Sequence, residues 1–187
     1  MELTDPPEAR LVGSGDSPED DADAYRELAA DIASGVAVVA TRERGHDVAA
    51  TVTGYLDVSC DPPTMLVSLY GDGRIADAVQ SAGYWTLSLL AADQQGIANW
   101  LASPGNPVFG LLNQVPFRRA PATGAAVVEG ALAWFELRTV DTMQAATHLV
   151  IVGEVVSMGR GMESGRADDP LVHFASDYRG LRRAPGI

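Results

Sequence analysis

No stretch of this 187-residue chain reaches the roughly 20 uninterrupted apolar residues that a membrane-crossing helix needs. The N-terminus also lacks a basic region followed by an apolar run, so neither a span nor a signal peptide is expected, and the chain reads as soluble and cytoplasmic. Cations are scarce, with 13 Lys and Arg against 25 Asp and Glu and a net charge of −12. That balance repels nucleic acid and anionic membrane surfaces, and no basic patch with interleaved aromatics offsets it; neither partner is expected. A single cysteine, Cys60, excludes an intramolecular disulfide. It has no Cys or His neighbour of the kind a metal site or nucleophile would bring, so a packed thiol is expected. His46, His148 and His173 are scattered without ligand spacing, and no metal site is expected. The glycine patterns of dinucleotide and triphosphate loops are absent, as is the Gly-x-Ser-x-Gly of a hydrolase.

Length suits one domain with a sizeable core. Up to residue 24, eight acids against Arg10 supply seven of the twelve net negative charges, so 1–24 reads as a flexible acidic tail and 25–187 as the folded domain. Tyr25, Leu28, Ala29 and Ile32 recur at helical spacing before Ser34-Gly35, predicting a short amphipathic helix whose apolar face covers a sheet. Val36 to Thr41 and Val48 to Thr53 predict a hairpin, and Thr64 to Tyr70 a strand apolar enough to be buried on both faces. Tyr84 to Leu90 is a further strand, Asp93 to Leu101 a helix, and Ala131 to Val140 and His148 to Met158 two long strands. Between them Pro104 to Pro121 is a long loop, with Val108, Phe109, Leu111, Leu112, Val115 and Phe117 to pack. About seven strands, mostly in succession, against three helices point to a mostly β antiparallel barrel with helical additions. Trp85 and Trp134 fall in strand runs and read as core. Glu136 and Glu154 read as ion-paired strand residues in preference to an acid/base pair.

The densest chemistry lies between Thr51 and Arg74. Thr51-Val52-Thr53-Gly54 offers hydroxyls and a small residue where backbone can approach a flat ligand. Asp61-Pro62-Pro63 sets a rigid bend. Ser68-Leu69-Tyr70 then runs into Gly71-Asp72-Gly73-Arg74. The glycines let amides turn toward an anion, Arg74 adds paired donors, and 75–79 reads as a helix whose positive end faces the same point. The loop fits a plain strand-to-helix turn with a solvated arginine as well.

These segments resemble the short-chain flavin reductase family, whose fold is the FMN-binding split barrel. The likeness runs from about Leu28 to Leu181. It includes Ser34-Gly35-Val36-Ala37-Val38-Val39-Ala40-Thr41, Leu89-Leu90-Ala91-Ala92-Asp93-Gln94, Gly130-Ala131-Leu132-Ala133-Trp134-Phe135-Glu136, His148-Leu149-Val150-Ile151-Val152-Gly153-Glu154-Val155 and Pro170-Leu171-Val172-His173-Phe174 with Tyr178-Arg179. The resemblance implies that Thr51, Val52, Thr53 and Gly54 lie along the flavin and that Ser68, Leu69, Gly71, Asp72, Gly73 and Arg74 reach its phosphate. Ala91, Gln94 and Tyr178 are implied as further cofactor contacts, and His148 as the residue beside the docked nicotinamide. Ala145-Ala146-Thr147 stands where the family has Gly-Asp before that histidine.

The implied activity is reduction of FMN, with FAD as the alternative, by NADH or NADPH. The acidic chain mildly disfavours the extra phosphate of NADPH. A homodimer that serves a partner monooxygenase is implied too. Two other readings stay open: a flavin sensor or store without reductase activity, and a split-barrel oxidoreductase acting on an organic substrate beneath a lid formed by the loop from Pro104 to Pro121.

Overall fold

The structure is a computed structural model that describes residues 12–13, 17–103, 110–161 and 169–181. Helix α1 is Pro18–Ala29, and Ser17 caps it by accepting from the amides of Glu19 and Asp20 at 3.1 and 3.4 Å. Acids in its first turn, Glu19, Asp20 and Asp21, suit the positive helix end, so the helix begins inside the stretch expected to be tail. Residues 1–11 and 14–16 of that stretch lie outside the described residues. The apolar residues expected to cover the sheet point outward instead: Tyr25, Leu28 and Ile32 are 71%, 73% and 64% exposed.

The strands are β1 Ser34–Gly35, β2 Ala37–Glu43, β3 His46–Val52, β4 Tyr55–Cys60, β5 Pro63–Tyr70, β6 Tyr84–Leu89, β7 Phe117–Arg119, β8 Ala126–Val128, β9 Ala133–Ala145, β10 His148–Arg160, β11 Val172–Phe174 and β12 Asp177–Arg179. Helix α2, Arg74–Ala82, follows β5; α3, Gln95–Ala102, follows β6 after a 3-10 turn, Ala92–Gln94. Twelve strands are thus described against about seven expected, because the exposed edge strand β4, the two-residue β1 and the three-residue β7, β8 and β12 carry no alternation to read. The β2–β3 hairpin is tighter than its charged sequence suggested. Arg44 and Gly45 alone turn it, with φ of 48° and 85°.

Seven strands form one antiparallel sheet in the order β3-β2-β6-β9-β10-β5-β4. Its two edge strands, β3 and β4, are consecutive in the chain and separated only by Thr53-Gly54. Three steps of backbone, Val52 to Tyr55, reach at most about 11 Å. The sheet must therefore curl until its edges meet there, consistent with the expected split barrel.

Strand alternation divides the core. Val39, Val67, Leu69, Leu87, Leu137 and Ile151 pack inside the curl with Ala76 and Val79 of α2. Val36, Val38 and Ala40 face outward, where Ala98 and Leu101 of α3 and Leu112 and Val115 cover them. This covering already buries the outer face of β2, which accounts for the outward-facing apolar residues of α1. It also places part of the long loop as expected, while Val108 and Phe109 lie outside the described residues.

Two further expectations are corrected. On β5 only Met65, Val67 and Leu69 are buried, and Leu66 and Ser68 remain half-buried, since a curled sheet has one interior face. Cys60 is exposed, because it ends an edge strand with no neighbour beyond it. Trp85 and Trp134 are core residues as expected, at 0% and 8% exposure. Glu154 pairs across strands with Arg138 at 2.6 Å. Glu136 is far more enclosed than a strand-surface ion pair: it is fully buried, and its Oε2 accepts from the amides of Ala122 and Thr123 and from the Thr123 hydroxyl at 2.9, 2.7 and 2.9 Å. No helix among the described residues is long and apolar enough to cross a membrane.

Candidate active site

The three residues between β5 and α2, Gly71, Asp72 and Gly73, form a tight turn closed by the Gly73 amide donating to the Tyr70 carbonyl at 2.9 Å. Gly73 caps α2 without any side-chain acceptor, so the first-turn amides of the helix face an open cap. A Cβ on Gly73 would lie 2.8 Å from the Tyr70 carbonyl oxygen, and one on Gly71 would lie 3.2 Å from the Thr147 carbonyl oxygen. Gly73 needs glycine for this close approach of backbone, and Gly71 leaves little room for anything larger. Asp72 is not a bare acid facing this cap, because it accepts from the Tyr70 hydroxyl at 3.3 Å.

The same turn reaches the hairpin that carries His148. The Gly71 amide donates to the Thr147 carbonyl at 2.9 Å, and His148 pairs with Tyr70 across β10 and β5. The Tyr70 ring meets the imidazole edge-on, with centroids 5.9 Å apart and planes at 75°. Thr147 Oγ1 lies 3.1 Å from His148 Nδ1. Gly71, Asp72, Gly73, Arg74 and His148 are therefore one neighbourhood.

The Thr51 to Gly54 segment joins it through Ser68, whose amide donates to the Gly54 carbonyl at 2.7 Å. A Cβ on Gly54 would touch Ser68 Cβ and O at 3.4 Å, so glycine keeps this strip flat. Thr53 and Gly54 are exposed and open to a ligand. Thr51 is engaged internally, its hydroxyl donating to the Ala98 carbonyl of α3 at 2.8 Å. Val52 and Leu69 turn their side chains into the core, leaving only backbone for a ligand.

Ala91, Gln94 and Tyr178 fall in a second neighbourhood. Gln94 is 2% exposed, accepts from the Ala91 amide at 2.9 Å and donates to the Glu129 carbonyl at 2.8 Å, so its side chain holds the turn after β6. Tyr178 stacks edge-on against His173, with centroids 5.8 Å apart, and burial pushes its phenol pKa up. The link between the two neighbourhoods is Tyr55. It begins β4 beside Gly54 and carries its hydroxyl to Gly35, which pairs with Val172 next to the β11–β12 hairpin. Burial raises the Tyr55 phenol as well. The same residue lines an open groove of about 550 Å³ with Leu56, Met65, Leu89, Phe135 and Met158.

Residues 29–182 match the family described as "Flavin reductase like domain". The chain belongs to that family. Among its relatives is the NADH-dependent flavin reductase StyB of Pseudomonas fluorescens, 30% identical over 165 residues, which cover 86% of this chain and 90% of that one. The reductase component of 4-hydroxyphenylacetate 3-monooxygenase from Thermus thermophilus is 30% identical over 159 residues, covering 85% and 96% of the two chains. Of solved structures, BorF, the flavin reductase component of a bacterial two-component tryptophan halogenase, superposes with a TM-score of 0.78 at 30% identity, covering 87% of this chain and 99% of that one. Three residues not counted among the expected cofactor contacts adjoin these neighbourhoods: Tyr55 and Tyr70, which stand in the two segments the resemblance singled out, and Thr147. Thr147 precedes His148 in the chain, whereas Tyr70 flanks it through the register of β5 on β10, which the sequence does not display.

Proposed function

We propose that this flavin reductase family member takes hydride from NADH and delivers it to FMN, with FAD the alternative acceptor and NADPH the less favoured donor. The observation that carries the reading is the single bonded unit made by the open cap of α2, the Gly71-Asp72-Gly73 turn and the His148 hairpin. An anion-binding loop and a ring-orienting side chain stand on one platform, which suits a phosphorylated flavin met by a nicotinamide.

The residues fit a flavin. Gly71 and Gly73 let the turn close tightly, their own amides held by the Thr147 and Tyr70 carbonyls, so that the uncapped first turn of α2 is what faces a phosphate; Arg74 supplies a cation at the same helix end, and Gly54 keeps the strip beside Ser68 free of a side chain. Flavin, when bound, supplies the two-electron acceptor for the nicotinamide hydride. Hydride transfer needs rings held parallel and close, and no protein acid or base at the migrating atom, so His148 serves by orienting its neighbour. Relatives named as reductase components of monooxygenases and of a halogenase support a diffusing reduced flavin passed to a partner oxygenase.

Exposed Leu56, Val58 and Met158 beside the apolar groove support a homodimer closed over β4. The lone exposed thiol suits a reducing, cytoplasmic setting. Anaerobic stopped-flow absorbance tests the whole reading: NADH is expected to bleach the flavin band over many turnovers with added FMN. Flavin that binds and stays oxidised would make this protein a flavin store.

A further inference from the structure

His148 is exposed, and an exposed imidazole samples several rotamers unless something holds it. Two contacts hold this one. Tyr70 lies edge-on at 5.9 Å, itself tethered through its hydroxyl to Asp72, and Thr147 Oγ1 sits 3.1 Å from Nδ1. The threonine is a fixed point. It belongs to a two-residue turn, Ala146-Thr147, between paired Ala145 and His148. Ala146 takes a φ of 50° and its carbonyl accepts from the Gln144 side-chain amide at 2.7 Å. The Thr147 carbonyl accepts from the Gly71 amide at 2.9 Å. Backbone at this turn is thus pinned on both sides, and the hydroxyl inherits that rigidity.

We infer that Thr147 is a positioning residue for hydride transfer: its hydroxyl engages Nδ1 of His148, fixes the orientation of the ring, and leaves Nε2 as the nitrogen for the nicotinamide. This rests on the proposed role of His148. A hydroxyl can accept from Nδ1–H or donate to a bare Nδ1, so it selects one ring orientation without adding charge beside the incoming nucleotide. Because its carbonyl also holds the Gly71 turn, the phosphate end and the nicotinamide end of the site share one anchor.

The test compares Thr147→Val, Thr147→Ser and His148→Ala in the full-length protein. In the flavin-free protein, long-range ¹H–¹⁵N spectra should show the Nδ1 resonance of His148 displaced in Thr147→Val and restored in Thr147→Ser. In anaerobic single turnover with FMN and saturating NADH, Thr147→Val should slow flavin bleaching about fivefold, the loss of one net hydrogen bond, with Thr147→Ser recovering most of the rate. Kd for FMN, read by fluorescence quenching, should stay unchanged in both. An unmoved Nδ1 resonance, or a rate loss matched by weaker FMN binding, would overturn the inference. A slowed His148→Ala beside a full-speed Thr147→Val would overturn it while leaving the histidine's role intact; a full-speed His148→Ala would remove that role first.

Discussion

The Tyr55 hydroxyl occupies the space into which a Cβ on Gly35 would project, so the first residue of β4 and the last of β1 pack with no room for a methyl group. Gly35→Ala is therefore expected to cost about 1–3 kcal/mol in urea denaturation, the range of an overpacked contact. Adding Tyr55→Phe should return part of it, since the clash is with the hydroxyl. Additive losses in the double variant would mean that the two residues do not meet.

Alkali should expose the same tyrosine. Burial lifts the phenols of Tyr55 and Tyr178 above their ordinary 10.0, so each ionises more readily in the unfolded chain. Above that pH the unfolded state holds fewer protons than the folded state, and stability falls as pH rises through the folded pKa values. Below it, these two groups leave stability flat. Thermal melts taken from about pH 8 to about pH 11 should follow that course, and the Tyr55→Phe/Tyr178→Phe variant should fall less steeply.

At the open end of α2, Gly73→Ala places a methyl 2.8 Å from the Tyr70 carbonyl oxygen and forces the turn to shift. FMN should bind about tenfold more weakly, in keeping with the loss of a charge-assisted contact, while riboflavin, which lacks the phosphate, should change little. Arg74→Gln is expected to show the same contrast. Fluorescence titration with both flavins checks it, and equal losses for the two would move the phosphate elsewhere.

Glu136 is a buried carboxylate that three donors from Ala122 and Thr123 satisfy at one oxygen. Its removal strands those donors. Glu136→Ala should cost about 2–3 kcal/mol, with Glu136→Gln milder because its carbonyl oxygen still accepts, as measured by the denaturant midpoint. Faster hydrogen exchange at the Ala122 and Thr123 amides would localise the damage.

Leu56 is 58% exposed on the edge strand, and Met158 is 62% exposed across the groove. A homodimer closed over this surface should fall apart when Leu56→Glu puts a charge there. Light scattering after size exclusion reads the mass directly; an unchanged dimer would send the interface to another face.

The long strands were legible because each alternates or carries β-branched runs: β5, β6, β9 and β10 begin within two residues of where their patterns do. Composition also spoke truly for Trp85 and Trp134. The edge strand β4 did not, since none of its six residues is buried and its pairing partner decides its state. The exposed thiol of Cys60 follows from that edge position, which side-chain chemistry does not encode. Helix α1 was visible by its period, but its face was misjudged because α3 and the segment around Leu112 had already covered the sheet. Within the site, the glycine turn and His148 could be read in order along the chain. Their bond through Gly71 and Thr147 arises from strand register, whereas Thr51 is engaged by the packing of α3 on β3 and Gln94 by the turn after β6 and the Glu129 carbonyl.

The strip Thr53-Gly54 is where the first and last strands of the curled sheet come round to each other, joined by peptide alone with no ladder between them. A flat ligand laid along that strip would act as a missing stave, bridging the one joint of the wall that backbone hydrogen bonds leave open. Affinity for the ligand and tightness of the wall would then be the same quantity seen from two sides, and a protein that must release its flavin to another enzyme would loosen each time it did so.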